Sequence, residues 1–474
     1  MNVLMVCSEF APLAKTGGLA DAVTGLSAAL AARGHDVRVL LPRYSHLTPS
    51  AARPLTAGRH RYFEVETAPP GAATPKRRTR LAPRVYALDL GDLVATAIYT
   101  GDQRDAGRFL RLASAAIDIE AALDWRPDVV HCHDWHAALV PVLELARRPA
   151  DPRPTVLTLH NIGYQGIFAA TVLELYGAPE VRKAAAPDAL AGGTVNYLRA
   201  GLHAADIVTT VSPTYATEIR TPAYGMGLED VLNARADVLV GILNGVDYDT
   251  WSPASDPFID ARYDAQQIAP KHKVKGALSV RLGLVPDQNA PLVGVVSRLV
   301  AQKGIDLVTA ILPTLLRETR ANFVFLGSGD ASTTTELRRH ATEHPRRVSF
   351  TEGYDEPLAH RIFAGSDIFL VPSRYEPCGL TQMYALRYGT IPVVRATGGL
   401  ADTISHFDPA TGRGNGSVFR NADSQGLLWG VRQTLAWFDD PPTWSRLIGN
   451  AMAADFSWRR QVSHYEAVYG ELAG

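Results

Sequence analysis

Two cations five residues apart, Arg298 and Lys303, lie in Ser297-Arg-Leu-Val-Ala-Gln-Lys-Gly304, after an apolar run and before a helical segment. Two positive charges converging there can neutralise a diphosphate and stabilise the negative charge that grows as its bond to carbon breaks. A third cation, Lys15, begins Lys15-Thr-Gly-Gly18 and follows the first apolar run through Ser8-Glu-Phe-Ala-Pro12. Gly17 and Gly18 let backbone amides approach an anion where a helix begins, with Asp21 in its first turn. An exposed loop lysine is the plainer reading of Lys15 alone, since the motif matches neither a P-loop nor GxGxxG. Pro372-Ser-Arg-Tyr-Glu-Pro-Cys-Gly-Leu-Thr381 joins a strand to a helix. Its amides near Gly379, Leu380 and Thr381 form an outward-facing anion site, with Glu376 one turn away.

His131-Cys-His-Asp-Trp-His136 invites a metal reading, but Asp134 and Trp135 stand where a His-x-His-x-Asp-His site has its spacer and its aspartate. Strand alternation sends His131 and His133 to one face and Cys132 to the other. At a strand's carboxyl end such residues suit substrate contacts better than a metal. His160, in Leu159-His-Asn-Ile-Gly163, ends another strand. It can address a sugar hydroxyl or serve as a structural histidine. The string Thr-Gly-Gly-Leu-Ala-Asp occurs twice, at Thr16 to Asp21 and Thr397 to Asp402. Each copy reads as a loop entering a helix, with amides able to approach an anion.

These residues need scaffolds. Val3 to Cys7, Val37 to Leu41, Val129 to Cys132, Thr155 to Leu159 and Ile207 to Val211 read as buried strands. Helical segments separate them, over Leu19 to Arg33, Phe109 to Leu123, Ala137 to Ala146 and Pro213 to Ile219. After a Pro- and Asp-rich linker, Trp251 to Asp264, strands resume at Leu292 to Val296, Phe323 to Leu326, Val348 to Phe350, Ile368 to Val371 and Pro392 to Val394. The class is α/β with two doubly wound halves, and facing halves would share one cleft. The stretch from Thr56 to Ala97 is less regular, and its basic run, Lys76 to Arg80, reads as a solvated loop.

Across 474 residues, 47 Lys and Arg nearly cancel 48 Asp and Glu, leaving a net charge of −1. That argues against a nonspecific nucleic-acid binder. The 3 cysteines are far apart, so no disulfide framework is expected. No membrane span or signal segment is read, which points to the cytoplasm.

Together, Lys15-Thr-Gly-Gly-Leu-Ala-Asp, His131-Cys-His-Asp-Trp-His-Ala, Thr209-Thr-Val-Ser-Pro-Thr-Tyr-Ala, Ile242-Leu-Asn-Gly-Val-Asp, Ser297-Arg-Leu with Gln302-Lys-Gly, and Pro372 to Thr381 resemble bacterial glycogen synthases and plant starch synthases. The resemblance spans residues 2 to 469. It implies a GT-B fold: two Rossmann-like domains facing a central cleft, and a C-terminal helix, announced by Phe456-Ser-Trp458, Tyr465 and Tyr469, that returns to the first domain. Residues 1–250 with 456–474 form the acceptor-side domain on this reading, and 251–455 the nucleotide-sugar domain. The implied reaction transfers glucose from ADP-glucose to the non-reducing end of an α-1,4-glucan, retaining configuration and releasing ADP, with no metal or other cofactor. By carry-over, Lys15, Arg298, Lys303 and the amides after Cys378 serve the diphosphate. His160 and Glu376 address glucose, Tyr354 lies near the base, and Asp134 and Asn244 line the cleft.

Three departures stand out. The loop from Tyr99 to Arg111 is shorter than usual in the family, Arg199 replaces the usual Lys, and His160-Asn-Ile-Gly replaces His-Asn-Leu-Ala. The rival readings are another retaining GT-B transferase, such as one using UDP-glucose, and a glucan-binding protein without turnover.

Overall fold

The computed structural model of the chain describes residues 1–47, 54–66 and 82–473. It divides into two compact units, Met1–Gly245 with Trp458–Gly474, and Val246–Ser457. In the first unit, β1 (Asn2–Val6), β2 (Asp36–Pro42), β3 (Leu55–Ala57), β4 (His60–Val65), β5 (Arg84–Leu88), β6 (Val129–His133) and β7 (Thr155–Leu159) precede a small antiparallel ribbon, β8 (Ile167–Ala169) with β9 (Thr194–Asn196). Then come β10 (Ile207–Thr210) and β11 (Leu239–Gly241).

The main sheet of this unit has the order β11-β10-β7-β6-β1-β2-β5-β4-β3 among the described residues, parallel from β11 to β5. From β1 the chain adds β2, passes to the edge strand β3, returns through β4 to lay β5 beside β2, then restarts on the other side of β1 with β6. Its direction of winding therefore reverses between β1 and β6, where diverging loops leave a crevice at the carboxyl ends of the strands.

Alternation along β1 explains the two cores. Leu4 and Val6 enter one cluster with Phe109, Leu112 and Leu143, whereas Val3, Met5 and Cys7 enter another with Val23, Leu26, Leu30 and Trp458. The second cluster includes the C-terminal helix, Trp458–Ala473, whose Val462, Tyr465 and Tyr469 recur at helical spacing and are buried. The Trp458 indole occupies the space a side chain would need at position 25: a Cβ on Gly25 would lie 1.9 Å from Trp458 Nε1.

In the second unit, β12 (Leu292–Val296), β13 (Asn322–Gly327), β14 (Val348–Glu352), β15 (Ile368–Val371), β16 (Ile391–Arg395) and β17 (Ser417–Phe419) form a parallel sheet of order β14-β13-β12-β15-β16-β17. Its winding reverses between β12 and β15. Val293, Val295, Phe323 and Phe325 pack beneath the helices Ile305–Glu318 and Ser424–Phe438.

Some elements differ from their sequence reading. The helix expected from Phe109 begins at Gln103, because the Asp102 carboxylate accepts the Arg104 N–H and caps a polar first turn. Part of the less regular stretch forms β3, β4 and β5, and β3 and β4 extend the sheet antiparallel at its edge. Their exposed polar positions, such as Arg61, weaken the apolar signal. The Lys76 to Arg80 run lies outside the described residues. The segment expected as a linker packs into the second unit: Trp251 stacks with His360 and Tyr384 at centroid distances of 3.8 and 4.0 Å, and Asp256 accepts hydrogen bonds from Tyr388 and pairs with His360.

The Gly25 contact is open to test. Gly25→Ala is expected to push Trp458 off the sheet and cost about 1–3 kcal/mol, read as a lower melting temperature; an unchanged melt would show that the helix is not seated there.

Candidate active site

Both reversal points carry the residues singled out above. Lys15, Gly17, Gly18 and Asp21 follow β1, and Asp134 follows β6. Arg298 and Lys303 follow β12, while Glu376, Cys378, Gly379, Leu380 and Thr381 follow β15. His160, Asn244 and Tyr354 leave the carboxyl ends of β7, β11 and β14. Most of these residues sit in the loops where the sheet ends, while Gly18, Asp21, Asp134 and Thr381 fall in the first turn of the helix that follows.

In the second unit, Lys303 Nζ donates to Glu376 Oε2 at 2.6 Å, and Ser373 Oγ donates to the same oxygen at 2.8 Å. Glu376 is buried, and burying a carboxylate is costly without such partners. Its Oε1 makes no hydrogen bond with a described residue and is left to accept one from a ligand. The two loops are clamped together. Arg374 forms a bidentate pair with Asp306, at 2.7 and 2.6 Å, and donates to the Ala301 carbonyl at 2.7 Å. Gln302 donates to the Tyr375 carbonyl at 3.2 Å.

Arg298 is exposed, and its guanidinium makes no hydrogen bond or ion pair with a described residue. Its loop is laid against the turn after β13 by backbone bonds, from the Leu299 N–H to the Ser328 carbonyl at 2.8 Å and from the Asp330 N–H to the Leu299 carbonyl at 2.6 Å. Gly329, at φ +153°, permits that approach, since a Cβ there would lie 2.3 Å from the Leu299 carbonyl oxygen. So Gly327-Ser-Gly329 supports the Arg298 loop. The N–H groups of Gly379, Leu380 and Thr381 find no acceptor among the described residues. Their turn is fixed by Gln382, whose amide donates to the carbonyls of Cys378 and Gly379 at 3.0 and 2.9 Å. Cys378 is buried, whereas Tyr354 is 70% exposed beside β14. Two cations and a run of unpaired amides together make an anion site.

The glycine pairs require a correction. The Glu9 carboxylate, buried just past β1, accepts the N–H of Thr16 at 2.7 Å, the N–H of Gly17 at 3.1 Å and the Thr16 hydroxyl at 2.7 Å. The anion at the Gly17 amide is thus the protein's own, and that amide is not open to substrate. In the second copy the Gly399 N–H goes to the carbonyls of Glu376 and Pro377, both at 3.1 Å, and a Cβ on Gly398 would lie 2.0 Å from the Glu376 oxygen. That pair lets a helix approach the Glu376 turn. Lys15 meets Asp21 at 2.8 Å, a partly exposed pair worth little in stability, so breaking it for a stronger anion costs little.

Tyr99 donates to Glu9 at 2.6 Å and stacks on His136 at 5.0 Å. The shortened loop after it closes on Asp105, which accepts from the N–H groups of Thr100 and Gly101 and from Arg108. Arg199 is taken up by Asp188 and Asp230 at 2.6 and 2.9 Å, a fork that a lysine could not span in the same way.

Deeper in the first unit, His131 and His133 share a face, with centroids 4.1 Å apart. His131 bonds the Tyr469 hydroxyl at 2.7 Å and Thr158 at 2.6 Å, and His133 Nδ1 lies 3.1 Å from His160 Nε2. The Asp134 carboxylate accepts the His160 N–H at 2.7 Å, and Asp134 itself sits at φ +56°. Asn244 is buried, with no donor at its Oδ1 among the described residues. Burial pushes Asp134 up to about 7 and pulls His131 and His160 down to about 3. Among the described residues no three His, Cys, Asp or Glu side chains are grouped to hold a metal ion.

Glu9, Tyr99 and Arg374 escaped the sequence reading. Each acts by holding a loop, and only Glu9 left a trace, as a carboxylate between a strand and a glycine pair.

The buried histidines set an acid limit. His131 and His160 stay neutral in the fold and take up protons once unfolded, so stability is lost as pH falls from 6.5 toward 3, at about 1.4 kcal/mol per pH unit for each. Asp134 works oppositely: its contribution is complete below 3.8 and is lost as pH rises through 7. Unfolding measured from pH 7 to 4.5 should show a net loss in acid, and Asp134→Asn should steepen it; a flat profile would contradict the burial.

The starch synthase catalytic domain family matches residues 2–234, and glycosyl transferases group 1 matches residues 283–451. Glycogen synthase of Anaeromyxobacter sp. (strain Fw109-5) is 44% identical over 100% of both chains, and glycogen synthase of Koribacter versatilis (strain Ellin345) is 42% identical over 99% of this chain and 98% of its own. The catalytic domain of starch synthase IV from Arabidopsis thaliana, bound to ADP and acarbose, superposes with a TM-score of 0.87 at 34% identity, covering 99% of each chain. Sucrose-phosphate synthase from Thermosynechococcus elongatus shares the fold, at a TM-score of 0.64 and 19% identity. With two doubly wound units of the GT-B class and this likeness along its whole length, the chain belongs to the glycogen and starch synthase family of glycosyltransferases.

Proposed function

We propose that the protein transfers glucose from ADP-glucose to the non-reducing end of an α-1,4-glucan, with retention of configuration, in glycogen biosynthesis. The observation that carries the reading is the anion site after β12 and β15: exposed Arg298, Lys303, and the unpaired amides of Gly379 to Thr381. In this role Arg298, Lys303 and those amides take the diphosphate, Lys15 adds a third cation, and Tyr354 contacts the base. His160 and Glu376 hold the glucose, while Asp134 and Asn244 contribute to the sugar side. The place of work is the cytoplasm, in keeping with the lack of any described helix long and apolar enough to cross a membrane.

The step follows from charge. As the bond from the anomeric carbon to the phosphate oxygen breaks, its electron pair stays with ADP, and Arg298 and Lys303 stabilise it. The acceptor hydroxyl attacks from the face that ADP leaves, and its proton passes to the departing phosphate. A new glycosidic bond forms and configuration is retained. Glu376 suits hydrogen bonding to a glucose hydroxyl through Oε1 better than nucleophilic attack, because Oε2 is engaged by Lys303 and Ser373.

The test is ADP release from ADP-glucose with and without glycogen, alongside UDP-glucose. Release that depends on glycogen, is faster with ADP-glucose and lengthens the glucan is the expected result. Preference for UDP-glucose would assign a different transferase, and glycogen binding without ADP release would leave only a glucan-binding protein.

A further inference from the structure

The nitrogens of His133 and His160 are unequally served. His133 Nδ1 lies 3.1 Å from His160 Nε2, so one proton lies between them. His133 Nε2, on the other side of that ring, is buried and has no hydrogen-bond partner, and the ring is held by its 4.1 Å contact with His131. His160 Nδ1 makes no hydrogen bond with a described residue, while its main-chain N–H is fixed to Asp134 at 2.7 Å.

Two neutral arrangements exist. If His160 donated from Nε2, His133 would carry its own proton on Nε2, leaving a buried N–H without an acceptor. If His133 donates from Nδ1, its Nε2 is left only with a buried lone pair that no donor meets. Orphaned buried N–H groups are the rarer and costlier outcome, so the second arrangement is favoured. Burial keeps both imidazoles neutral, well below the usual histidine range.

We propose that His133 is a positioning residue that fixes His160 as the Nδ1–H tautomer, so that His160 meets the sugar as a hydrogen-bond donor and not as a base. This rests on the reading of His160 as a substrate-facing group. A protonated Nδ1 can donate to a hydroxyl or ring oxygen of glucose but cannot take the acceptor's proton, which is consistent with that proton leaving on ADP.

The test is two-bond ¹H–¹⁵N correlation on the full chain labelled with [¹⁵N]histidine, with His160 assigned through His160→Gln. The expected wild-type pattern has His160 protonated at Nδ1 and bare at Nε2. His133→Leu should release the lock, giving mixed His160 tautomers and a roughly tenfold lower kcat/KM. His133→Asn, whose amide N–H falls near the place of Nδ1, should restore both. A wild-type His160 protonated at Nε2, or an unchanged His160 pattern in His133→Leu, would overturn the proposal. If the leucine variant does not fold, the wild-type spectrum still decides. An unchanged kcat/KM in His160→Ala would instead sink the substrate-facing reading while leaving the tautomer assignment standing.

Discussion

A parallel sheet that reverses its winding leaves one place where two neighbouring strands send their loops apart, and the rest of this molecule is organised around that constraint. In the second unit it falls between β12 and β15. Their loops bring Lys303 against Glu376 at 2.6 Å. The pair is largely buried, so each charge depends on the other: taking either away strands its partner in a poorly solvating site. Arg374 on Asp306 ties the same loops from their exposed side. The result is a rigid frame from which the amides of Gly379 to Thr381 and the free guanidinium of Arg298 point outward.

The first unit obeys the same geometry with different contents. Where the second unit leaves amides open, the first fills the corresponding loop with Glu9, whose carboxylate satisfies Thr16 and Gly17 internally. Preorganisation explains the difference. A loop whose donors are already satisfied holds its shape without ligand, and Lys15, paired with Asp21 at 2.8 Å, then projects from a fixed base. In the same unit, His131 and His133 of β6 are deeply buried, and His160, just past β7, is partly buried; desolvation keeps all three uncharged, which suits hydrogen bonding and not charge transfer.

Much of this was legible in the residues. Long β-branched runs such as Leu292 to Val296 and Thr155 to Leu159 coincide with strands because strands buried on both faces carry continuous apolar signal. The loops after β12 and β15 stood out because cations and glycines at strand ends are unusual. Less legible were β3 and β4, whose edge position allows polar residues, and 251–264, whose Pro and Asp content disguised the packing of Trp251. The glycine pairs misled for a physical reason: a glycine needed for close approach of protein backbone reads the same as one needed for close approach of a ligand.

Whether the second reversal point receives the diphosphate is read most directly at Arg298. It is exposed and tied to no described residue, so its removal should leave the fold intact and act only through substrate. Arg298→Ala should melt like the wild type while its kcat/KM for ADP-glucose falls by roughly 10²-fold. An unchanged kcat/KM would contradict it.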